Sequence, residues 1–401
     1  MTATHTLLSE RVQKLAESET LKMARMAREL RALGHDVISL SLGEPDFDTP
    51  DHIKEAAYQA LKDGYTKYTP VSGLPELTKA ICEKFKRDND LDFRPEQIVV
   101  SNGAKQTVYN LCQALLDPGD EVVVFAPYWV SYWEIVKMAE ATPVPVFAGV
   151  ETDFKPTPQQ LADAITERTK FVLFSSPCNP TGTVFSREEL KAYADVIAQH
   201  ENVLIVSDEI YEYINFTHEH VSIGSFPNVK DRTVTINGFA KGFAMTGWRL
   251  GYMGGPKYVA DACSKIQGQV TSGATSFGQK AGAVALMSDL TPTDQMREAF
   301  RERRDIVLSL LEEIPGIRTN HPEGAFYVFP DVSAYFGKSD GQTTINNADD
   351  FCDYVMSTAY VGLVSGAAFG DPNCFRLSYA ASEEQLREAV RRMREVLGRL
   401  K

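Results

Sequence analysis

Between residues 97 and 236 the chain repeats one rhythm: a short run of β-branched or other apolar residues, a turn, then an amphipathic stretch. The apolar runs fall at 97–101, 121–125, 144–147, 170–175, 203–207 and 233–236, with helical patterning at 106–116, 157–165 and 186–199. Strands that are apolar on both faces must be covered on both faces, so the rhythm predicts an α/β domain with a mostly parallel sheet sandwiched by helices. In such sheets ligands collect at the C-terminal ends of the strands. After residue 290 the rhythm stops. A charged amphipathic helix at 298–311 is followed by a strand at 326–329, a polar stretch at 331–348 and a strand at 375–378 that contains Arg376. A last helix opens on Ser382 and Gln385, spaced as a capping box, and carries the stripe Leu386, Val390, Met393 and Leu397. These elements predict a smaller α+β domain.

The first fifty residues read as a helical arm over 8–33 with the apolar stripe Leu15, Leu21, Met23, Met26 and Leu30. An alternating strand follows at 37–42, and Asp51 is placed to cap a helix over 53–61. The predicted boundaries are an arm and part of the smaller domain at 1–48, a large domain at 49–295 and the remainder of the smaller domain at 296–401.

Composition narrows the function. A net charge of -13 over 401 residues argues against nucleic acid as the main partner. No window reaches the roughly 18 apolar residues of a membrane helix, and the N-terminus lacks the basic-then-apolar pattern of a secretion signal, so the expected setting is cytoplasmic without a membrane partner. The six cysteines form no C-x-x-C pair, which reads as free buried thiols and no metal. His218 and His220 flank Glu219, a weak metal pattern set against the simpler reading of a solvated loop at 217–220.

Chemistry concentrates at the predicted strand ends. The run 233–236 leads through the turn pair Asn237-Gly238 to Lys241, set among Phe239, Ala240, Gly242, Phe243 and Met245. A poorly solvated lysine has a lowered pKa, and a neutral amine can form a Schiff base with an aldehyde. The alternative is a lysine snorkelling to the surface. Arg249, eight residues on, is suited to clamping an anion. The strand at 97–101 opens into Asn102-Gly103-Ala104-Lys105 and a helix, a junction that points free N–H groups at a phosphate but is also routine in α/β folds. It matches neither the P-loop nor the dinucleotide fingerprint. Asp208 ends another strand, where a carboxylate needs a cationic partner or serves as a helix cap.

Seven segments in order carry a further likeness: GEPDFDTP at 43–50, KYTPVSG at 67–73, APYWVSY at 126–132, NPTG at 179–182, SDEIYE at 207–212, AKGFAMTGWRLGY at 240–252 and FRLSYA at 375–380. Together they resemble the aspartate aminotransferase family, within the class I, fold-type I enzymes that use pyridoxal 5'-phosphate. The resemblance spans nearly the whole chain. It implies a seven-stranded-type sheet in the large domain and a smaller domain built from both chain ends.

It also implies roles. Lys241 holds the cofactor by a Schiff base and acts as general base and then acid. Asp208 pairs with the pyridinium nitrogen, while Tyr211 and Asn179 meet the phenolic oxygen. Arg249 and the N–H groups of Gly103, Ala104 and Lys105 bind the phosphate, with Tyr68 reaching in from the other subunit of a homodimer. Trp129 covers the ring and touches substrate. Arg376 grips the α-carboxylate, Gly43 closes over it, and Lys105 takes a distal carboxylate. The implied reaction converts L-aspartate and 2-oxoglutarate to oxaloacetate and L-glutamate by a ping-pong route. The alternatives are prephenate, aromatic or alanine specificity on the same machinery, and a regulatory module that binds the cofactor without catalysis. Two positions depart from the family pattern. Gly238 stands where a serine often donates to the phosphate, and Ala16 stands where prephenate users carry a basic residue, with Lys14 nearby.

Overall fold

The computed structural model describes residues 7–17, 19–217 and 219–401. The described strands, in chain order, are β1 (Ile38–Ser39), β2 (Ile98–Ser101), β3 (Glu121–Ala126), β4 (Thr142–Phe147), β5 (Thr169–Ser175), β6 (Leu204–Asp208), β7 (Thr233–Gly238), β8 (Gly251–Gly254), β9 (Tyr327–Val328), β10 (Val361–Gly362), β11 (Val364–Ser365) and β12 (Phe375–Ser378). Seven of them form one sheet in the order β2-β8-β7-β6-β5-β3-β4. Its pairings are parallel except at β8, which runs antiparallel to both neighbours.

Alternation along each strand makes two cores from one sheet. Val122 and Val124 of β3 join Leu111, Ile135 and Val259 from helices on one face. Val123 and Phe125 join Leu161, Leu190 and Ile197 from helices on the other. A third cluster gathers β9, β12 and the helices Thr291–Glu312, Ala348–Ala359 and Glu383–Leu397. β1 pairs with β10, so an early segment completes this C-terminal body. β12 lies between β11 and β9 in a three-stranded antiparallel sheet.

Several local expectations need correction. The strand expected at 37–42 is only Ile38–Ser39, because its partner β10 is two residues long. Asp51 does not cap: the helix Asp51–Lys62 begins on it, Pro50 is the N-cap, and Asp51 instead pairs with Lys54. Asn237-Gly238 is not a turn but the end of β7, where both residues pair with β8. Leu21 leaves the buried stripe of the arm helix Glu19–Ala32 and is 62% exposed at the mouth of a cavity. The sequence reading also passes over β8 and the helices Lys257–Val270, Ser276–Met287 and Ala348–Ala359. Gly251 and Gly254 dilute the strand signal of β8.

Candidate active site

β2, β3, β5, β6 and β7 all end at one edge of the large sheet, and the antiparallel β8 begins there. The segments that follow these ends line a cavity of about 360 Å³. Every predicted site residue except Tyr68 contributes to its wall: Gly43, Gly103, Ala104, Lys105, Trp129, Asn179, Asp208, Tyr211, Lys241, Arg249 and Arg376. Tyr68 is 97% exposed and is not part of the wall of this cavity. A larger cleft of about 800 Å³ lies alongside and shares Arg249, but it lacks the lysine and aspartate.

Lys241 lies three residues past β7, and its ammonium donates to the Gly43 carbonyl. The rings of Tyr211 and Phe326 lie 5.6 and 5.7 Å from its nitrogen. Burial first, and then the positive charge of Arg376, lower its pKa to about 8. At pH 8 about half of such lysines are neutral, against roughly one in three hundred at the ordinary value. The snorkelling alternative therefore fails: this nitrogen points inward.

Asp208, the last residue of β6, is 3% exposed. Its Oδ2 accepts from the Tyr132 hydroxyl at 2.6 Å and its Oδ1 from the Ile210 N–H at 3.2 Å. Burial raises its pKa to about 6, with those two hydrogen bonds opposing the rise. It takes a backbone N–H as a cap does, but no helix follows it directly. A buried carboxylate held in this way favours a cationic partner.

Two separate places present positive charge and free donors to the cavity. Gly103, at φ +86°, turns the chain from β2 into the helix Ala104–Leu115. A Cβ there would lie 2.5 Å from Arg249 Nη2, so the close approach of backbone and guanidinium requires glycine. Arg249 donates to the carbonyls of Thr246 at 2.9 Å and Asn102 at 3.4 Å, which leaves further donors beside the helix N-terminus. Gly238 is not part of the cavity wall, and a Cβ there would meet Gly251 Cα at 3.0 Å, so a serine has no room without movement.

The second place is Arg376, which is 2% exposed. It donates to Asn179 Oδ1 at 2.9 Å and to the Ser41 carbonyl at 2.6 Å, and stacks over Tyr327 and Phe369 at 4.6 and 4.8 Å. Its Nε has no partner, and among the described residues no carboxylate pairs with it. A buried guanidinium lacking a counter-anion is costly unless a ligand supplies one. Lys105 lines the same cavity with its ammonium 4.9 Å from the Trp129 ring, its pKa lowered by burial and then by Arg249.

Sequence reasoning missed two participants. Tyr132 was legible in principle, because it follows Trp129 by three residues and so shares its side of the helical turn. Tyr327 sits in a wholly apolar strand and reads as core; only the fold carries its hydroxyl to within 2.7 Å of the Tyr211 hydroxyl.

The histidine pattern at 218–220 also resolves differently. His218 lies outside the described residues. His220 is not on a solvated loop: its Nε2 meets Glu209 Oε2 at 2.9 Å and Glu212 Oε2 at 3.8 Å. These three residues have the donor types and closeness of a metal site, with ligand atoms within 4.8 Å of one another. The fully buried Lys84 already supplies the cation, pairing with Glu212 and donating to Asn89.

Comparison with known proteins agrees with this geometry. The family described as aminotransferase class I and II matches residues 35–393. An aspartate/prephenate aminotransferase of Cereibacter sphaeroides is 48% identical over 389 residues, covering 96% of this chain and 97% of its own. The bifunctional aspartate aminotransferase and glutamate/aspartate-prephenate aminotransferase of Petunia hybrida is 46% identical over 401 residues, covering 98% of this chain and 83% of its own. Among solved structures, the aspartate aminotransferase of Rhizobium meliloti superposes with a TM-score of 0.95 at 41% identity over 98% of this chain and 99% of that one. That of Thermus thermophilus with maleate gives 0.91 at 43% identity over 97% and 99%.

Proposed function

The chain belongs to the class I and II aminotransferases, and on that premise we propose that it transfers the amino group of L-aspartate to 2-oxoglutarate, yielding oxaloacetate and L-glutamate, with pyridoxal 5'-phosphate as its cofactor. When bound, the cofactor supplies an aldehyde for amine exchange and a ring that takes up electrons from the substrate Cα. The donor set fits it. Arg249 and the Gly103–Lys105 N–H groups suit its phosphate, and Asp208 suits its ring nitrogen. Tyr211 and Asn179 suit its phenolic oxygen, Trp129 its ring face, and the half-neutral Lys241 amine its aldehyde.

One observation carries the substrate reading: Arg376 is a buried cation without a carboxylate partner, on the same cavity as a second partly desolvated cation, Lys105. Arg376 grips the α-carboxylate, Gly43 closes over it, and Lys105 receives the distal one. A dicarboxylate spans both, and maleate, bound by the Thermus thermophilus relative, is a dicarboxylate. Lys241, on the wall of the same cavity, takes the Cα proton and returns it. Prephenate use has less support from the arm: Ala16 carries no charge, and Lys14 turns out to Glu10 at 3.7 Å with its side chain 74% exposed.

The exposure of Tyr68 supports a homodimer in which that hydroxyl reaches the partner's phosphate site. The β1–β10 pairing supports the domain division at 48/49 and 295/296, with the helix Thr291–Glu312 bridging the second boundary. No helix among the described residues is long and apolar enough to cross a membrane. A cytoplasmic setting accords with six free cysteines.

The test is a half-reaction. Protein loaded with pyridoxal 5'-phosphate and given L-aspartate alone is expected to lose its visible band and release one oxaloacetate per site. A band that ignores aspartate but responds to alanine or phenylalanine would overturn the substrate and keep the cofactor. Lys105→Ala is expected to lower kcat/KM for aspartate about 10- to 100-fold, the range of a lost charged hydrogen bond, while barely changing turnover of alanine. Equal losses on both substrates would remove Lys105 from the distal subsite.

A further inference from the structure

Tyr327 stands at the junction of three contacts, none of which the proposed reaction assigns to it. It is fully buried on β9, with its hydroxyl 2.7 Å from that of Tyr211. Its ring lies under the Arg376 guanidinium at 4.6 Å. Its oxygen also occupies the space a Cβ on Gly43 would fill, whereas Cζ and Cε1 lie at ordinary distances of 3.4 and 3.7 Å from that point. Gly43 does not have a positive φ, so alanine is compatible with its backbone. The tightest obstacle to a side chain at 43 is therefore this one hydroxyl.

A phenol has one proton to give. If Tyr211 donates to the cofactor's phenolic oxygen, its own oxygen can only accept from Tyr327. The order is then fixed: Tyr327 donates to Tyr211, which donates to the cofactor. Burial raises the pKa of both phenols and the Arg376 charge opposes the rise at each, so both keep their protons and the order of donation is set by geometry; a chain of two such bonds strengthens each of them. We propose that Tyr327 is a positioning residue that sets the hydroxyl direction of Tyr211 and so ties the Arg376 carboxylate subsite to the cofactor's phenolic oxygen, with Gly43 kept free of a side chain to make room for it. This rests on the cofactor reading above and goes beyond it in assigning Tyr327 and the second role of Gly43.

The experiment uses the cofactor-loaded full chain as wild type, Tyr327→Phe, Gly43→Ala and the double variant. Two quantities are read besides turnover: the dissociation constant for pyridoxal 5'-phosphate by equilibrium dialysis, and the pH midpoint of the visible band. Tyr327→Phe is expected to weaken cofactor binding about 5- to 10-fold and move the midpoint to higher pH, the size of effect expected when one hydrogen bond is lost. Gly43→Ala is expected to do the same, because its methyl group displaces the hydroxyl. In the double variant the clash is absent, so it should match Tyr327→Phe alone rather than sum the two losses. Additive losses would overturn the link to Gly43. A lowered thermal midpoint in Tyr327→Phe with an unmoved band and unchanged cofactor affinity would show a packing role only and overturn the proposal. Both readings are made without an amino acid, so protein that binds cofactor but ignores aspartate would sink the proposed substrate and leave this assignment standing on the band.

Discussion

Lys241→Ala protein is expected to retain pyridoxal 5'-phosphate while turning over aspartate at least about 10⁴-fold more slowly than the wild type. The two halves of this expectation have separate physical sources. Retention comes from groups that do not include the lysine: Arg249, the helix that begins after Gly103, and Asp208. Loss of turnover comes from removing the lysine amine that burial and then the Arg376 charge bring to a pKa of about 8. Lys105 keeps its ammonium 4.9 Å from the Trp129 ring. The alanine variant also leaves the Gly43 carbonyl without its donor, so a thermal melt should accompany the assay to separate chemistry from packing. In the wild type the rate of cofactor uptake is expected to rise with pH through a midpoint near 8, because the neutral amine is the nucleophile and its fraction grows as the proton leaves. Residual turnover well above about one part in 10⁴ in the alanine variant would mean that another group moves the Cα proton.

Much of this was legible before any coordinates, and the reason is geometric. In a parallel sheet the strand ends lie on one edge, so residues at Ser101, Ser175, Asp208 and Gly238 had to meet although nearly 140 positions separate them. Polar residues at the ends of apolar runs then named the site. Arg376 was legible for the opposite reason, as a charge inside a strand that is otherwise core. What stayed hidden depended on contacts between parts of the chain with no common pattern. Tyr327 looks like packing until its hydroxyl is seen against Tyr211. β8 is obscured by its glycines: a Cβ on Gly251 would meet the backbone of Gly103 and Ala104, and one on Gly254 would meet the Phe93 ring. His220 reads as loop because its partners, Glu209 and Glu212, belong to a segment chosen for Asp208 and Tyr211.

That buried cluster carries the largest stability expectation. Lys84→Met should destabilise the fold by about 3–5 kcal/mol, the cost of removing one member of a buried ion pair. The lysine has no exposed surface, pairs with Glu212, donates to Asn89 Oδ1 at 2.6 Å and lies 3.9 Å from Asp88. Without it, Glu209 and Glu212 keep Asn89, Ser207 and Ser222 as donors and, among the described residues, only His220 as a close cation. Methionine fills similar volume, so the loss measured by urea unfolding reports charge rather than a cavity. Lys84→Met combined with Glu212→Gln should recover much of it, since the uncompensated carboxylate is then gone; no recovery would place the cost in packing. Histidine gives the variant a pH signature. In the wild type, burial pulls the His220 pKa down, but the Glu209 hydrogen bond and the charges of Glu209 and Glu212 outweigh it, while Lys84 opposes them. The folded value is thus above the unfolded one, so His220 contributes stability that is fully present below about pH 6.5 and fades as pH rises through the folded value. Removing Lys84 raises that folded value further and leaves the imidazolium as the cluster's remaining close cation. The stability gap between variant and wild type should therefore be smaller in mildly acidic buffer and widen as the pH rises above neutrality. A gap that is flat from pH 6 to 9 would mean that His220 does not share the charge of the cluster.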